Sequence, residues 1–143
     1  MQITRQTEYA IRTVMELAKL EEGLLMPAKV IAAYQGFPEG FLKKTIQLLA
    51  HAGLITTQRG TQGGVRLAVP AAAITIADIM IAVEGTLAIN PCISETYICP
   101  NKPECQMRAV FQRTQSAMLK ELSKESIADL VEKNYIYSIP DKQ

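Results

Sequence analysis

Residues 27–70, PAKVIAAYQGFPEGFLKKTIQLLAHAGLITTQRGTQGGVRLAVP, decide how the chain is read. Pro27 suits a first helical turn, and Val30, Ile31 and Tyr34 supply the inner face of a short helix that Gly36 ends. Phe37-Pro38-Glu39 opens a further helix. Its apolar residues are Phe41, Leu42, Ile46, Leu48, Leu49 and Ala52, and Gly53 closes it. Two short helices across so tight a turn read as helix-turn-helix. The period then changes. Residues 54–57 and 65–69 are β-rich, and Arg59-Gly60-Thr61-Gln62-Gly63-Gly64 between them carries three glycines that allow the positive φ of a hairpin turn. Helix-turn-helix followed at once by a basic hairpin predicts a winged helix: a mainly α fold with a small β-hairpin wing.

Working outward, Ile11, Val14, Met15, Leu17 and Ala18 form one apolar stripe, which predicts a helix over about residues 3–22 with Thr4 as N-cap and Gly23 as stop. Pro70 ends the wing. Thr75-Ile76-Ala77-Asp78 has the form of a capping box and opens a helix running to about Glu84, stopped by Gly85. Residues 90–105 lose all helical period and hold Pro91, Pro100 and Pro103 with all three cysteines. A long helix is expected over about residues 104–122, with Met107, Val110, Phe111, Thr114, Ala117, Met118 and Leu122 on one side. Ser126-Ile127-Ala128-Asp129 opens a last short helix, and residues 139–143 read as a loose tail. The organisation expected is a winged helix-turn-helix over 1–85, a cysteine-bearing loop over 86–106, and a dimerisation helix with a C-terminal helix over 107–143.

The chain has 143 residues, 48% of them hydrophobic, and a formal net charge of +1. That balance excludes a polycation that binds nucleic acid by bulk charge. The charge is uneven, however. Residues 1–70 carry eight basic and five acidic side chains, and residues 71–143 carry seven and nine. Residues 40–77 contain no acid, yet hold Lys43, Lys44, His51, Arg59 and Arg66. Lys43 and Lys44 lie in the first turns of the second helix of the motif, the end that meets base edges and phosphates in a major groove. Arg59 at the base of the wing is placed to enter a minor groove. Arg66, with Thr56, Thr57 and Gln58, suits phosphate binding. Ordinary solvation of Lys43 and Lys44 is the bland alternative. His51, at the far end of the helix, reads as a surface or capping residue.

A long apolar stripe on the helix over 104–122 exceeds what a winged domain needs for itself. Pairing with its copy gives a symmetric dimer with two recognition helices about one DNA turn apart. The alternative is packing within its own chain. Cys92, Cys99 and Cys105 follow C-x6-C-x5-C, which is not the CxxC spacing of a zinc knuckle. The spacing suits iron–sulfur ligation first, a thiol-redox switch second and zinc third. Three thiolates leave one coordination position for another ligand. Apolar runs fall well below the ~18 residues of a membrane span. The first six residues form no signal core, so no membrane association and a cytoplasmic location are expected. A single His, no nucleophile–base pair and no phosphate loop argue against an enzyme.

Thr7-Glu8-Tyr9-Ala10, Phe41-Leu42-Lys43-Lys44, Ala52-Gly53-Leu54-Ile55, Arg59-Gly60 with Gly63-Gly64, and the cysteine trio together resemble the Rrf2 family of bacterial winged-helix transcription regulators, which includes IscR-type and NsrR-type iron–sulfur sensors. The resemblance runs from Met1 to about Lys133. It implies a homodimer on a pseudo-palindromic operator of double-stranded DNA, and a bound cluster whose state or damage alters DNA affinity. It implies that Cys92, Cys99 and Cys105 are metal ligands, and that Gly60, Gly63 and Gly64 belong to the DNA-facing wing. IscR-type members place a His after the third cysteine; here Gln106, Met107 and Arg108 follow. NsrR-type members recruit an acid of the partner's first helix, and Glu8 stands at the matching position. Glu8 of the partner subunit is therefore the fourth ligand expected, with Glu104 and Glu95 behind it. The first cysteine gap is one residue longer than usual in the family. Where IscR-type members carry polar recognition residues, this chain has Pro38, Gly40, Lys43 and Lys44. The function expected is cluster-controlled transcription regulation. Its alternatives are a metal-free thiol-redox switch and a DNA-binding subunit controlled by a protein partner.

Overall fold

The computed structural model describes residues 2–133, and the tail expected over 139–143 lies outside them. Six helices and one hairpin follow in the order α1 Arg5–Ala18, α2 Ala28–Gln35, α3 Glu39–His51, β1 Ile55–Gln58, β2 Gly64–Leu67, α4 Ile76–Glu84, α5 Gln106–Leu122 and α6 Ile127–Lys133. This is a mostly helical winged helix, as the sequence order predicts. Three 3₁₀ turns fall between these elements, at Ala71–Ala73, Pro91–Ile93 and Lys102–Glu104.

The capping signals are realised. The Thr4 side chain accepts from the Thr7 N–H at the start of α1. Thr75 and Asp78 form a reciprocal capping box at the start of α4, each satisfying a backbone donor that the first helical turn leaves free. Ser126 and Asp129 repeat that exchange at α6.

Helix α1 is shorter than the apolar stripe suggests. It ends at Ala18, with Lys19 as C-cap, and Gly23 turns the chain only later at φ +84°. Glu21 and Glu22 would have sat at the negative end of the helix dipole, where acids are disfavoured. The buried face is also rotated from the expected one. Thr7, Ala10, Thr13, Val14 and Leu17 point inward, while Ile11 and Met15 are only half-buried. Buried hydroxyls are tolerated because they are bonded: Thr13 Oγ1 donates to the Tyr9 carbonyl, 2.7 Å away. In α2 the correction is larger. Ile31 and Ala32 are buried, while Val30 (50% exposed) and Tyr34 (72%) face outward.

The core is one cluster drawn from α1, α2, α3, the hairpin and α4, and it includes Leu42, Leu49, Ile55, Ile74 and Ile79. Ile127 of α6 joins it, fully buried. The Ile127 N–H donates to the Ile74 carbonyl at 2.7 Å, and Thr75 forms a β-bridge with Ser126. So α6, grouped with α5 by position in the chain, packs back on the winged domain. Helix α5 does the opposite: it is the longest described helix, at 17 residues, and has no buried residue. Val110 and Met107 are 47% and 58% exposed on it. Among the described residues, no helix is long and apolar enough to cross a membrane.

Candidate DNA-binding face and cysteine loop

The turn between α2 and α3 is set by Gly36, at φ +70°, and by the Phe37 N–H donating to the Ala32 carbonyl at 2.9 Å. Phe37 is buried against Tyr9 of α1, with ring centroids 4.0 Å apart, and Tyr9 meets Phe41 edge-on at 5.6 Å. These three rings pin the first turn of α3 to α1. With Leu42, Thr45, Ile46 and Leu49 facing the core, Gly40, Lys43, Lys44, Gln47 and His51 form one exposed stripe. Pro38 is exposed as N-cap of α3, and a Cβ added to Gly40 would meet nothing within 4 Å. The backbone there lies open to an approaching surface. Gln47 is the stripe residue the sequence reading passes over, though its spacing from Lys43 and Lys44 was the available signal.

The wing pairs β1 and β2 antiparallel, with Thr56 opposite Arg66, Thr57 opposite Val65 and Gln58 opposite Gly64. Ile55 and Val65 are buried, while Thr56, Thr57, Arg59 and Arg66 are exposed. Only one of the three wing glycines works through φ: Gly60, at +112°. Gly63 and Gly64 are required by crowding. A Cβ on Gly63 would lie 2.1 Å from the Gln58 carbonyl oxygen, and one on Gly64 would lie 2.8 Å from the Met26 backbone. The second contact exists because Met26 and Val65 exchange two backbone hydrogen bonds, both 2.9 Å. Residue 26, just before α2, thus braces the wing.

Among the described residues, no carboxylate stands within ion-pair distance of Lys43, Lys44, Arg59 or Arg66; the pairs seen are Arg5–Glu8, Arg12–Glu8, Lys19–Glu16 and Lys124–Glu121. The four cations are therefore available to phosphates.

At the far end of the winged domain, the Glu84 carboxylate of α4 accepts from the hydroxyls of Thr4 and Thr7. That junction, which no local pattern announces, ties the start of α1 to the residue before Gly85 and the cysteine loop. Within the loop Cys92 lies on a 3₁₀ turn, and its Sγ accepts from Asn90 Nδ2 at 3.0 Å. The Cys105 Sγ is the N-cap of α5 and accepts from the Arg108 N–H at 3.4 Å. Arg108 Nε donates to the Cys92 carbonyl at 3.0 Å, so one arginine links the first and third cysteines. Cys99 is anchored through its carbonyl, which accepts from the Lys102 N–H at 3.1 Å. All three are half-buried free thiols. Glu8 is held within its own chain by Arg12 at 2.7 Å and by Arg5 at 3.7 Å.

Among the described residues, no three His, Cys, Asp or Glu side chains converge on a single metal-ion position. As a donor set, three free thiols on one loop match the chemistry of iron–sulfur ligation, in which thiolates hold separate iron atoms.

A family profile described as "Rrf2: Iron-dependent Transcriptional regulator" matches residues 3–133, nearly all of the chain. The chain belongs to the Rrf2 family. Members of this family are DNA-binding transcription regulators, so the exposed stripe of α3 and the wing are the parts of this fold to examine for DNA contact. Solved structures agree. CymR, "the global cysteine regulator" of B. subtilis, is 27% identical, with a TM-score of 0.75 over 92% of this chain and 97% of that one. The oxidized form of Staphylococcus aureus CymR is 26% identical, with a TM-score of 0.71 over 98% of this chain and 100% of that one. T. potens IscR, 24% identical, shares the fold with a TM-score of 0.74 over 93% of this chain and 88% of that one.

Proposed function

We propose that this Rrf2 regulator is a homodimer that binds a pseudo-palindromic operator, and that an iron–sulfur cluster on Cys92, Cys99 and Cys105 controls its affinity. Glu8 of the partner subunit is the proposed fourth ligand. The observation that carries the reading is location. Three half-buried free thiols occupy the one segment that joins α4 of the winged domain to α5, the helix without a buried residue. When bound, a cluster supplies ligation that oxygen or nitric oxide can damage. Gln106, Met107 and Arg108 offer no His after the third cysteine, so Glu8 must leave Arg12 to ligate.

The protein's own residues then transmit the change. Pairing of α5 with its copy covers Met107 and Val110 and sets two winged domains side by side. A change in loop shape alters the angle between α4 and α5, and with it the spacing of the two α3 helices. Pro38, Gly40, Lys43 and Lys44 of α3 face the major groove. Thr57, Arg59, Gly60, Gly63, Gly64 and Arg66 of the wing meet the backbone and minor groove. Affinity falls steeply with each lost phosphate contact, so a small change in spacing has a large effect.

Anaerobic purification tests this reading. The expected result is a coloured protein with iron and sulfide after reconstitution, and operator affinity that changes in Cys92→Ala. A colourless, iron-free protein, or unchanged affinity in Cys92→Ala, overturns it. A second reading is a metal-free thiol switch, favoured by the likeness to a cysteine regulator that has an oxidized form. Thiol counts before and after peroxide in metal-free protein separate the two.

A further inference from the structure

Between Cys92 and Cys99 runs the spacer Ile93-Ser94-Glu95-Thr96-Tyr97-Ile98, which no sheet organises and which no helix continues beyond the 3₁₀ turn at Pro91–Ile93. A local turn runs through it, with the Ser94 and Thr96 hydroxyls 2.8 Å apart and the Tyr97 N–H donating to the Ser94 carbonyl at 3.3 Å, and Lys102 gathers that turn from outside. Its Nζ donates to three backbone carbonyls, those of Tyr97 at 2.9 Å, Ser94 at 3.0 Å and Glu95 at 3.4 Å. An ammonium has three donors and no acceptor, so three carbonyls saturate it. Among the described residues, no carboxylate lies within ion-pair distance of it. Carbonyl dipoles turned toward one centre repel each other unless a cation stands there, so the spacer's shape depends on this charge. The same residue also holds the cysteine that ends the spacer, through its N–H bond to the Cys99 carbonyl at 3.1 Å. Cys92 and Cys105 have other anchors, in Asn90 and Arg108.

We infer that Lys102 is a positioning residue of the cysteine loop: its ammonium, caged by the Ser94, Glu95 and Tyr97 carbonyls, folds the spacer and fixes Cys99 relative to Cys92 and Cys105. The inference deepens the proposed function and rests on its reading of this loop as the sensor. In Lys102→Met the aliphatic stem remains while the charge and its donors go. The Glu95 and Tyr97 carbonyls then turn to water, the Ser94 carbonyl keeps only the Tyr97 N–H, and the spacer loosens, leaving Cys99 held by the backbone N–H of residue 102 alone.

The test follows alkylation of the full-length, reduced, metal-free protein by iodoacetamide, cysteine by cysteine, using peptide mass spectrometry. Cys99 is expected to react about fivefold faster in Lys102→Met, a factor that corresponds to about 1 kcal/mol, with Cys92 and Cys105 unchanged. In Lys102→Ala, added n-propylammonium is expected to return the Cys99 rate toward wild type, while sodium at equal ionic strength does not. A wild-type Cys99 rate in Lys102→Met overturns the inference. If all three thiols accelerate together, the alkylammonium experiment decides, and failure to rescue Cys99 in Lys102→Ala overturns it. These rates need neither DNA nor iron. If the loop is not a sensor, operator affinity ignores Cys92→Ala while Cys99 still reports on Lys102, so the two failures are distinguishable.

Discussion

Gly63→Ala isolates one physical cause in the wing. Gly63 does not have a positive φ, so its need for glycine is purely steric. The added Cβ would sit 2.1 Å from the Gln58 oxygen, 2.8 Å from the Arg59 carbonyl carbon and 2.9 Å from the Gln58 carbonyl carbon. All three are backbone atoms, so no side chain can swing away. Relief requires the end of the hairpin to open at the Gln58–Gly64 pair, with loss of the Gly63 N–H bond to the Gly60 carbonyl. One or two backbone hydrogen bonds at about 0.5–1.5 kcal/mol each put the cost at about 0.5–3 kcal/mol. The exposed turn at 59–62 can absorb the rest, which caps the loss. The control is Gly40→Ala. There a Cβ meets nothing within 4 Å and the residue is helical, so stability is expected to rise by up to about 1 kcal/mol. Thermal melts followed by circular dichroism read both. Gly63→Ala should melt several degrees lower and Gly40→Ala slightly higher. On the proposed reading both should bind operator more weakly, the first because Arg59 is displaced, the second because a methyl intrudes on the proposed DNA-facing side of α3. A Gly63→Ala protein with wild-type melting and wild-type affinity would refute the steric argument.

Ile127→Ala should cost about 2–5 kcal/mol in urea denaturation, since the fully buried Ile127 plugs α6 into the shared core. Lys44→Ala should flatten the plot of log affinity against log salt by about one unit per subunit and lower affinity across sequences alike; an unchanged slope removes Lys44 from the phosphate-contacting set. Val110→Glu on the exposed face of α5 should halve the mass seen by light scattering and weaken operator binding, with the melting of the winged domain preserved. A variant that stays dimeric would show that α5 does not pair with its copy.

The aromatic pin on α3 shows how far local reading reaches. Gly36, Pro38 and the i→i+4 spacing from Leu42 to Ile46 announce the turn and the helix. They do not announce that Tyr9, from α1, stacks on Phe37 and meets Phe41. In α2 the same reading chose Val30, Ile31 and Tyr34 for the inner face; Ile31 is buried as expected, but its neighbour Ala32 turns inward with it while Val30 and Tyr34, one turn apart, face out. Which side turned inward depended on where α1 and α3 stood. The cysteine loop stood out as a candidate by composition alone. Its internal order was not, because Lys102 acts on carbonyls, and a carbonyl leaves no mark in a sequence.

By itself the sequence determined what depends on neighbours within a few residues: the caps at Thr4, Thr75 and Ser126, the helix-turn-helix, the hairpin, the acid-free basic stretch and the thiol-bearing loop. The tertiary structure decided what depends on residues far apart in the chain. Met26 braces Val65, Glu84 holds Thr4 and Thr7, Ile127 fills the core beside Ile74, and the backbone of Gln58 and Met26 leaves no room for a Cβ at Gly63 and Gly64. Caps and turns are satisfied by backbone groups one turn away, so residue type predicts them. Close approaches between distant segments arise only once the whole core has packed, and a glycine or a buried hydroxyl in the sequence does not say which segment will come to meet it.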